Sequence, residues 1–246
     1  MALGPLSVGL LMPIVGWRVV YLMWVAPFLF YIPTFVTNRS SVGALQRDVS
    51  PTLKPRLGFL TKAFLLLIVV ESSVAMGRQA ISTYLSAYLV LERGTSAATA
   101  ALILGIFSII GIGAGPIGGF IADRFGERGW LTITYTISIV SLLAVIYAQL
   151  FTALLTALLI YGFFIGAEFT ITTSLVAHYT PKDRRGAAYG TFLLPTYLTG
   201  ASAPILAAYI AERTSISSIF PLSISFLLTA LLTLRMLPRP SKLGLS

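Results

Sequence analysis

The stretch GIGAGPIGGFIADRFGER, residues 111–128, decides between two different folds. Gly113, Gly115 and Gly118 have the spacing G-x-G-x-x-G, which marks a dinucleotide-binding turn where it follows a short strand and opens a helix. That motif also needs an acidic residue about 20 positions further on, which binds the ribose. Here a long apolar run precedes the glycines, and no acidic residue lies between Glu127 and Glu168. The sequence therefore excludes a nucleotide-binding turn and leaves a membrane helix.

The overall composition places the chain in a lipid bilayer. Of its 246 residues, 57% are hydrophobic and only 10% are charged, and the mean hydropathy is +0.90. A soluble domain needs a polar outer surface, which this composition does not supply. We therefore expect an all-α fold, a polytopic bundle of membrane-spanning helices.

Apolar runs long enough to cross a bilayer recur along the chain, since a helix needs about 20 such residues to cross the hydrocarbon. Seven runs meet this length, at roughly 17–37, 63–91, 99–121, 130–149, 151–176, 187–211 and 216–237. A shorter run from Ala2 to Ile14 has no basic residue before it and no small-residue cleavage site, so we interpret it as an incomplete helix rather than a signal peptide. The expected total is about eight transmembrane segments.

The basic residues predict how the chain is oriented. Residues 38–62 form the longest polar connection and carry five basic side chains. If this linker is cytoplasmic and each later run crosses once, thirteen Lys and Arg residues lie inside, and three lie outside: Arg18, Arg93 and Arg213. This positive-inside bias predicts that the linker and the C-terminus are cytoplasmic. We expect the chain to be a multi-pass protein of the plasma membrane. It also accounts for the net charge of +9, so we expect no nucleic-acid partner.

The sequence lacks the residues that several kinds of site require. It has no Cys and a single His, His178, so neither a thiolate metal site nor a multi-histidine cluster is expected. No nucleophile, base and orienting residue can be assembled into a catalytic set. We therefore expect no cofactor, no metal and no enzyme activity. His178 lies where a span meets a basic loop, and we interpret it as a solvated interfacial residue rather than a proton relay.

Within a helix, the glycines of the opening stretch form a packing surface. Gly111, Gly115 and Gly119 recur every four residues, and such a stripe of small residues lets a second membrane helix approach closely. We expect Gly111 and Gly115 to pack against another helix.

The residues that follow, GGFIADRFGER, resemble the signature loop of the major facilitator superfamily, G-x-L-x-D-R-x-G-R-R, which connects the second and third helices of each six-helix half. The matching residues are Gly119, Asp123, Arg124, Gly126 and Arg128. Ile121 replaces the Leu of the pattern, and Glu127 replaces the first residue of its basic pair. The loop also lies between two predicted spans, on the predicted cytoplasmic side.

This loop has the chemistry of a conformational gate. Asp123 at a helix end can accept hydrogen bonds from a neighbouring helix N-terminus, where the helix dipole favours an anion. Arg124 and Arg128 can pair with carboxylates across the gap between two bundles. Contacts that form and break as the bundles rock would bias one conformation. The alternative is a solvated turn whose arginines only set the topology.

The resemblance covers nearly the whole chain and implies three parts. Residues 63–240 resemble the C-terminal six-helix half, residues 38–62 its central cytoplasmic linker, and residues 1–37 the last two helices of the N-terminal half, the first of them incomplete. Gly4, Pro5 and Gly9 are similar to the end of the antiporter motif G-x-x-x-G-P-x-x-G-G. Four helices of the family fold would then be missing, so transport would need those helices or an oligomeric partner.

Charged residues within spans are costly, and by default they mark a pathway. Glu71, Arg78 and Gln79 lie on one predicted span and Glu168 on another. Glu71 and Arg78 are separated by about 10 Å along an ideal helix, too far for direct contact unless long side chains or water link them. Arg78 would bind an anionic or hydrogen-bonding substrate or neutralise Glu168, and either Glu would carry a coupling proton. The alternative is an ion pair that only fixes helix packing.

Aromatic hydroxyls supply further candidates for the pathway, with Tyr84 the foremost. Together these residues predict a secondary transporter of small molecules, in which substrate binds between two halves that alternate in access. The antiporter resemblance favours proton-coupled efflux of drugs or metabolites. A proton symporter for a nutrient or anion, and a truncated fragment that scaffolds or regulates a partner without transporting, remain as alternatives. The expected partners are the lipid bilayer, a small-molecule substrate and a proton.

Overall fold

A computed structural model of the chain describes residues 60–181 and 184–238, together with residues 7–11, 13–16, 18–20, 22, 23 and 33. From residue 60 onward the chain forms six α-helices: α1 (Lys62–Leu91), α2 (Ala97–Phe125), α3 (Glu127–Tyr147), α4 (Phe151–His178), α5 (Arg185–Ala211) and α6 (Ile219–Met236). A 3₁₀ turn, Ile216–Ser218, leads directly into α6. In this part of the chain all six helices are long and apolar enough to cross a membrane, which confirms the expected all-α membrane bundle.

The six predicted runs after residue 62 each correspond to one helix. The largest difference is in α2, which continues to Phe125 although its apolar run ends near residue 121. Asp123 and Arg124 continue the helix beyond the apolar run, because the backbone hydrogen bonds of a helix do not require a hydrocarbon environment. Of the two predicted spans before residue 38, the structure describes only residues 7–11, 13, 14, 18–20, 22, 23 and 33, and of the linker at 38–62 only residues 60–62.

Local signals in the sequence fix the helix ends. The Thr61 hydroxyl accepts a hydrogen bond from the Phe64 amide (3.2 Å) and the Ser96 hydroxyl one from the Thr99 amide (3.1 Å), which are N-caps for α1 and α2. Gly126 alone separates α2 from α3, with a φ of +83° that favours glycine. The two helices are thus joined by a single residue in the middle of the predicted gate loop.

The helices pack as two interleaved groups. The first helix, α1, packs against α5 and α6, while α4 packs against α2 and α3. The groups are joined because α3 also contacts α6 and α1 also contacts α2. This arrangement brings the inner faces of α1, α3 and α4 together in the bundle interior, where the charged residues of the spans lie.

Glycines set the contact between α2 and α4. Gly111 lies against the backbone of Gly162 and Gly166, and a Cβ added at Gly115 would lie 3.0 Å from the hydroxyl of Thr170. The approach is closer still at Gly118, where an added Cβ would lie 2.5 Å from the Cβ of Ala167. The small-residue surface of α2 therefore admits the backbone of α4.

The residues of the predicted antiporter motif lie near the start of the chain. Gly9 packs against Leu102 of α2, where an added Cβ would lie 2.7 Å from the Leu102 Cγ. Gly4 and Pro5 lie outside the described residues.

Candidate functional site

Arg78 joins two buried carboxylates inside the bundle. Its Nη2 lies 3.3 Å from Oε1 of Glu71 on the same helix, and its Nη1 lies 3.4 Å from Oε2 of Glu168 on α4. Both glutamate side chains are fully buried, whereas the Arg78 side chain is 29% exposed. The structure thus gathers three sequence-predicted residues into one cluster and exposes only its cation.

Glu71 and Arg78 contact each other directly, through their long side chains rather than through water. The two residues lie seven positions apart on α1, about 10 Å along the axis. Side chains on a helix lean toward its N-terminus, so the long Arg78 side chain extends back over two turns in the direction of Glu71. The side chains therefore meet without a bridging group.

Glu168 has two further donors. The Tyr135 hydroxyl on α3 donates to its Oε1 at 3.2 Å, and the Thr172 hydroxyl donates to the same oxygen at 2.6 Å. In contrast, Oε2 of Glu71 is buried with no hydrogen-bond partner among the described residues. The two carboxylates therefore have different environments: Glu168 is held by three donors and Glu71 by one.

Tyr135 and Thr172 are site residues that sequence reasoning missed. Thr172 lies four positions after Glu168, the spacing that places two side chains on one helix face. That spacing was a usable signal for Thr172. Tyr135 lies 33 positions from Glu168 on another helix, so only the packing of α3 against α4 brings them together.

The other two predicted pathway residues lie apart from this cluster. The Gln79 amide is exposed and donates to the Thr83 hydroxyl at 3.5 Å. The Tyr84 hydroxyl donates to the backbone carbonyl of Pro204 at 3.1 Å, which ties α1 to α5. Neither of these hydrogen bonds involves Glu71, Arg78 or Glu168.

The gate loop lines a cavity of about 960 Å³ at one end of the bundle, between the start of α3 and the end of α4. The lining includes Asp123, Gly126, Glu127, Arg128 and His178. His178 Nδ1 lies 3.0 Å from Oε2 of Glu127, so the predicted solvated histidine instead pairs with the residue that departs from the family pattern. Its side chain is nevertheless 55% exposed.

The two arginines of the loop bind within their own bundle. Arg128 Nη2 donates to the carbonyl of Arg235 at the end of α6, at 2.8 Å. The negative end of the helix dipole lies there and stabilises a cation. The expected pairing of Arg128 with a carboxylate of another bundle stays a prediction, because that bundle lies largely outside the described residues. The Arg124 guanidinium lies 4.5 Å from the ring centroid of Phe120, one turn earlier on α2. Asp123 is exposed.

No set of three or more metal-ligating His, Cys, Asp or Glu side chains occurs in the part of the chain that the structure describes. The cluster around Arg78 can hold and exchange a proton and can present a cation, but it offers no nucleophile. Ionisable groups within membrane spans are costly, and in membrane proteins they either mark a pathway or form ion pairs inside the bundle.

Comparisons with known proteins agree with this description. The sequence model of the Major Facilitator Superfamily matches residues 1–151 and 67–245. The multi-drug resistance efflux pump PmrA of Streptococcus pneumoniae, in two strains, is 29% identical over 187 residues, which is 72% of this chain and 42% of the pump. The chain thus spans less than half the length of the curated relatives it matches.

Solved structures show the same fold at lower sequence identity. Crystal structures of a peptide transporter, POT, in complex with sulfate and, for a variant of it, with alafosfalin superpose with a TM-score of 0.66 at 19% identity. They cover 71% of this chain and 37% and 38% of the transporter chains, respectively. The fold and the two sequence-model matches lead to one conclusion: the chain belongs to the major facilitator superfamily.

Proposed function

We propose that this bundle is the C-terminal half of a proton-coupled transporter that exports small organic molecules by alternating access. The observation that carries the proposal is the buried cluster in which one guanidinium faces two carboxylates. It lies inside the bundle, and only the Arg78 side chain reaches its surface.

The charge of the cluster provides the coupling to protons. With both glutamates ionised, the cluster would carry one uncompensated negative charge, and an unpaired charge is costly away from water. Glu71 has the fewer donors and a buried oxygen without a partner, so it is the carboxylate that takes up the proton. Its proton is released when the arrangement around Arg78 changes.

The substrate meets the cluster through Arg78. Arg78 is partly exposed, and the neighbouring Gln79 and Thr83 are exposed polar residues on α1, a span that is otherwise mostly apolar. In secondary transporters such a polar face is completed by a second repeat, and the substrate binds between the two. The missing partner is therefore another six-helix half, supplied by the rest of the protein or by another chain.

The same geometry favours a neutral or cationic substrate over an anionic one. The Arg78 guanidinium already faces two carboxylates, so it has no excess positive charge for an anionic substrate. PmrA is a multi-drug resistance efflux pump, and this relative supports export as the direction of transport.

The test uses everted membrane vesicles from the native cells, in which the chain keeps whatever partner it has. We expect that acidifying the vesicle interior drives uptake of a fluorescent organic cation, and that Glu71→Gln abolishes this uptake. Glu212→Gln is the matched control, because it makes the same chemical change at an exposed residue at the end of α5. Proton-driven uptake that persists in the Glu71→Gln vesicles would overturn the proposal.

A further inference from the structure

The two carboxyl groups of the Arg78 cluster lie close to each other as well as to the arginine. Glu71 on α1 and Glu168 on α4 each contact one terminal nitrogen of the same guanidinium, at 3.3 and 3.4 Å. Their carboxyl groups are also within hydrogen-bonding reach of each other. Two ionised carboxylates have no hydrogen to donate, so a hydrogen bond between them requires a proton on one of them. The contact therefore has a place for one proton.

The charges of the cluster require the same number of protons. Both carboxyl groups are fully buried, and Arg78 supplies one positive charge against their two negative charges. Like charges in close contact inside a protein are costly, and carboxylate pairs in such sites hold one proton between them. One proton makes the cluster neutral, whereas a second would leave Arg78 without a carboxylate. The other titratable side chains that interact with the pair are two fully buried phenols, Tyr135 on α3 and Tyr161 on α4.

The hydrogen-bond donors determine which carboxyl group carries the proton. Both oxygens of Glu168 already accept hydrogen bonds: Oε1 from the hydroxyls of Tyr135 and Thr172, and Oε2 from Arg78. On Glu71, Oε1 accepts from Arg78, and Oε2 is buried with no partner in the described part of the chain. Protonation of Oε2 converts this unpaired acceptor into a donor, and the ionised Glu168 is the acceptor beside it.

We propose that Glu71 and Glu168 share one proton, which Oε2 of Glu71 donates to the carboxylate of Glu168. The shared proton is a second link between α1 and α4, beside the contact of Arg78 with Glu168. When the proton passes to water, the O–H bond of Glu71 breaks and its electron pair stays on the oxygen. The hydrogen bond is then replaced by repulsion between two carboxylates, of which Arg78 neutralises only one.

The role of this proton in transport rests on the proposed function, but its presence does not. Infrared spectroscopy detects it, because the carbonyl stretch of a protonated carboxyl group is separate from the bands of a carboxylate. The stretch also shifts in heavy water and on hydrogen bonding. We expect the full chain, extracted from its native membranes with whatever partner it has, to show one such band in difference spectra between the unaltered chain and its variants.

Three variants test whether the proton belongs to the pair. Glu71→Gln should remove the band, because the amide donates to Glu168 in place of the carboxyl group. Glu168→Gln should remove it too, because Arg78 alone then neutralises Glu71. Glu71→Asp keeps the charges and shortens the side chain, so the band should remain and shift to the position of a carboxyl group without a hydrogen bond.

Glu212→Gln is the control, because it makes the same chemical change at an exposed residue and should leave the band unchanged. The proposal is overturned if the unaltered chain lacks the band, since both carboxyl groups are then ionised. It is also overturned if the band persists in Glu168→Gln or keeps its position in Glu71→Asp. The aspartate variant decides the question if Glu168→Gln does not fold.

The infrared result is independent of the transport measurement. Proton-driven uptake that is absent from the unaltered vesicles, together with a band that depends on both glutamates, would overturn the proposed function and leave the shared proton. Proton-driven uptake that requires Glu71, with no band that depends on Glu168, would overturn the shared proton and leave the proposed function.

Discussion

Nη2 of Arg78 lies 3.3 Å from Oε1 of Glu71, and the two residues belong to the same helix. This contact stays within α1, so it does not by itself hold two helices together. The contact of Arg78 with Glu168 does, because it joins α1 to α4. The same guanidinium therefore makes one contact that fixes packing and one that can change without separating helices.

The two glutamates should differ in their effect on stability. Glu71→Gln leaves a neutral Arg78–Glu168 pair, so we expect the free energy of unfolding to change by less than about 1 kcal/mol. Glu168→Gln removes a charge that binds three donors, and we expect a loss of about 3 kcal/mol. Thermal unfolding of the purified variants in one detergent measures both changes. Equal losses would contradict the difference in their environments.

Replacing Arg78 by Lys should abolish proton-driven uptake. The planar guanidinium contacts the two carboxylates through different nitrogens, whereas an ammonium group is a single point of charge on a more flexible chain. The lysine would neutralise one carboxylate and release the other. Vesicle uptake is measured beside the Tm, since we expect the released buried carboxylate to lower the Tm and the loss of the two-point contact to abolish uptake. Full uptake by Arg78→Lys would show that charge alone is sufficient.

The contact between α2 and α4 should be sensitive to one methyl group. In Gly118→Ala the new Cβ would lie 2.5 Å from the Cβ of Ala167, and we expect this overpacking to cost about 1–3 kcal/mol. Gly113→Ala is the control on the same helix, because nothing lies within 4 Å of its added Cβ. A Tm that falls equally in both variants would indicate a general effect of alanine on α2 rather than a clash.

The link between α2 and α3 should require glycine. Gly126 has a φ of +83°, and a non-glycine residue there costs about 1–3 kcal/mol. We expect Gly126→Ala to lower the Tm, whereas Gly129→Ala, three residues later inside α3, should leave it unchanged or raise it slightly. The pair of melting curves checks this, and an unchanged Tm in Gly126→Ala would mean that the link adopts another conformation.

The sequence predicted the helices well because the bilayer imposes their length. The six runs after residue 62 match the observed helices within a few residues, and the exception in α2 arises where charged residues continue a helix beyond the hydrocarbon. Glu71, Arg78 and Glu168 could be predicted for a related reason. Charged residues are rare within membrane spans, so each one is a candidate functional residue.

The remaining parts of the site depend on packing that no local pattern encodes. Tyr135 was missed because neutral hydroxyls are frequent in spans and usually bond to their own helix, as Thr136 does. Tyr84 faces α5 rather than the cluster, and the sequence does not say which neighbour a helix face meets. The contact between His178 and Glu127 joins residues 51 positions apart, so it required the α3–α4 packing.

The single-residue link at Gly126 also ties the bundle to the thickness of its membrane. With 29 residues α2 is about 43 Å long, whereas the 21 residues of α3 span about 31 Å, close to the hydrocarbon thickness of a typical bilayer. Because the two helices share one end, the surplus of α2 is taken up by tilting or by protrusion at its other end. A thicker membrane would bring α2 more upright against α4, so lipid chain length becomes a physical variable that acts on the bundle without binding to any site.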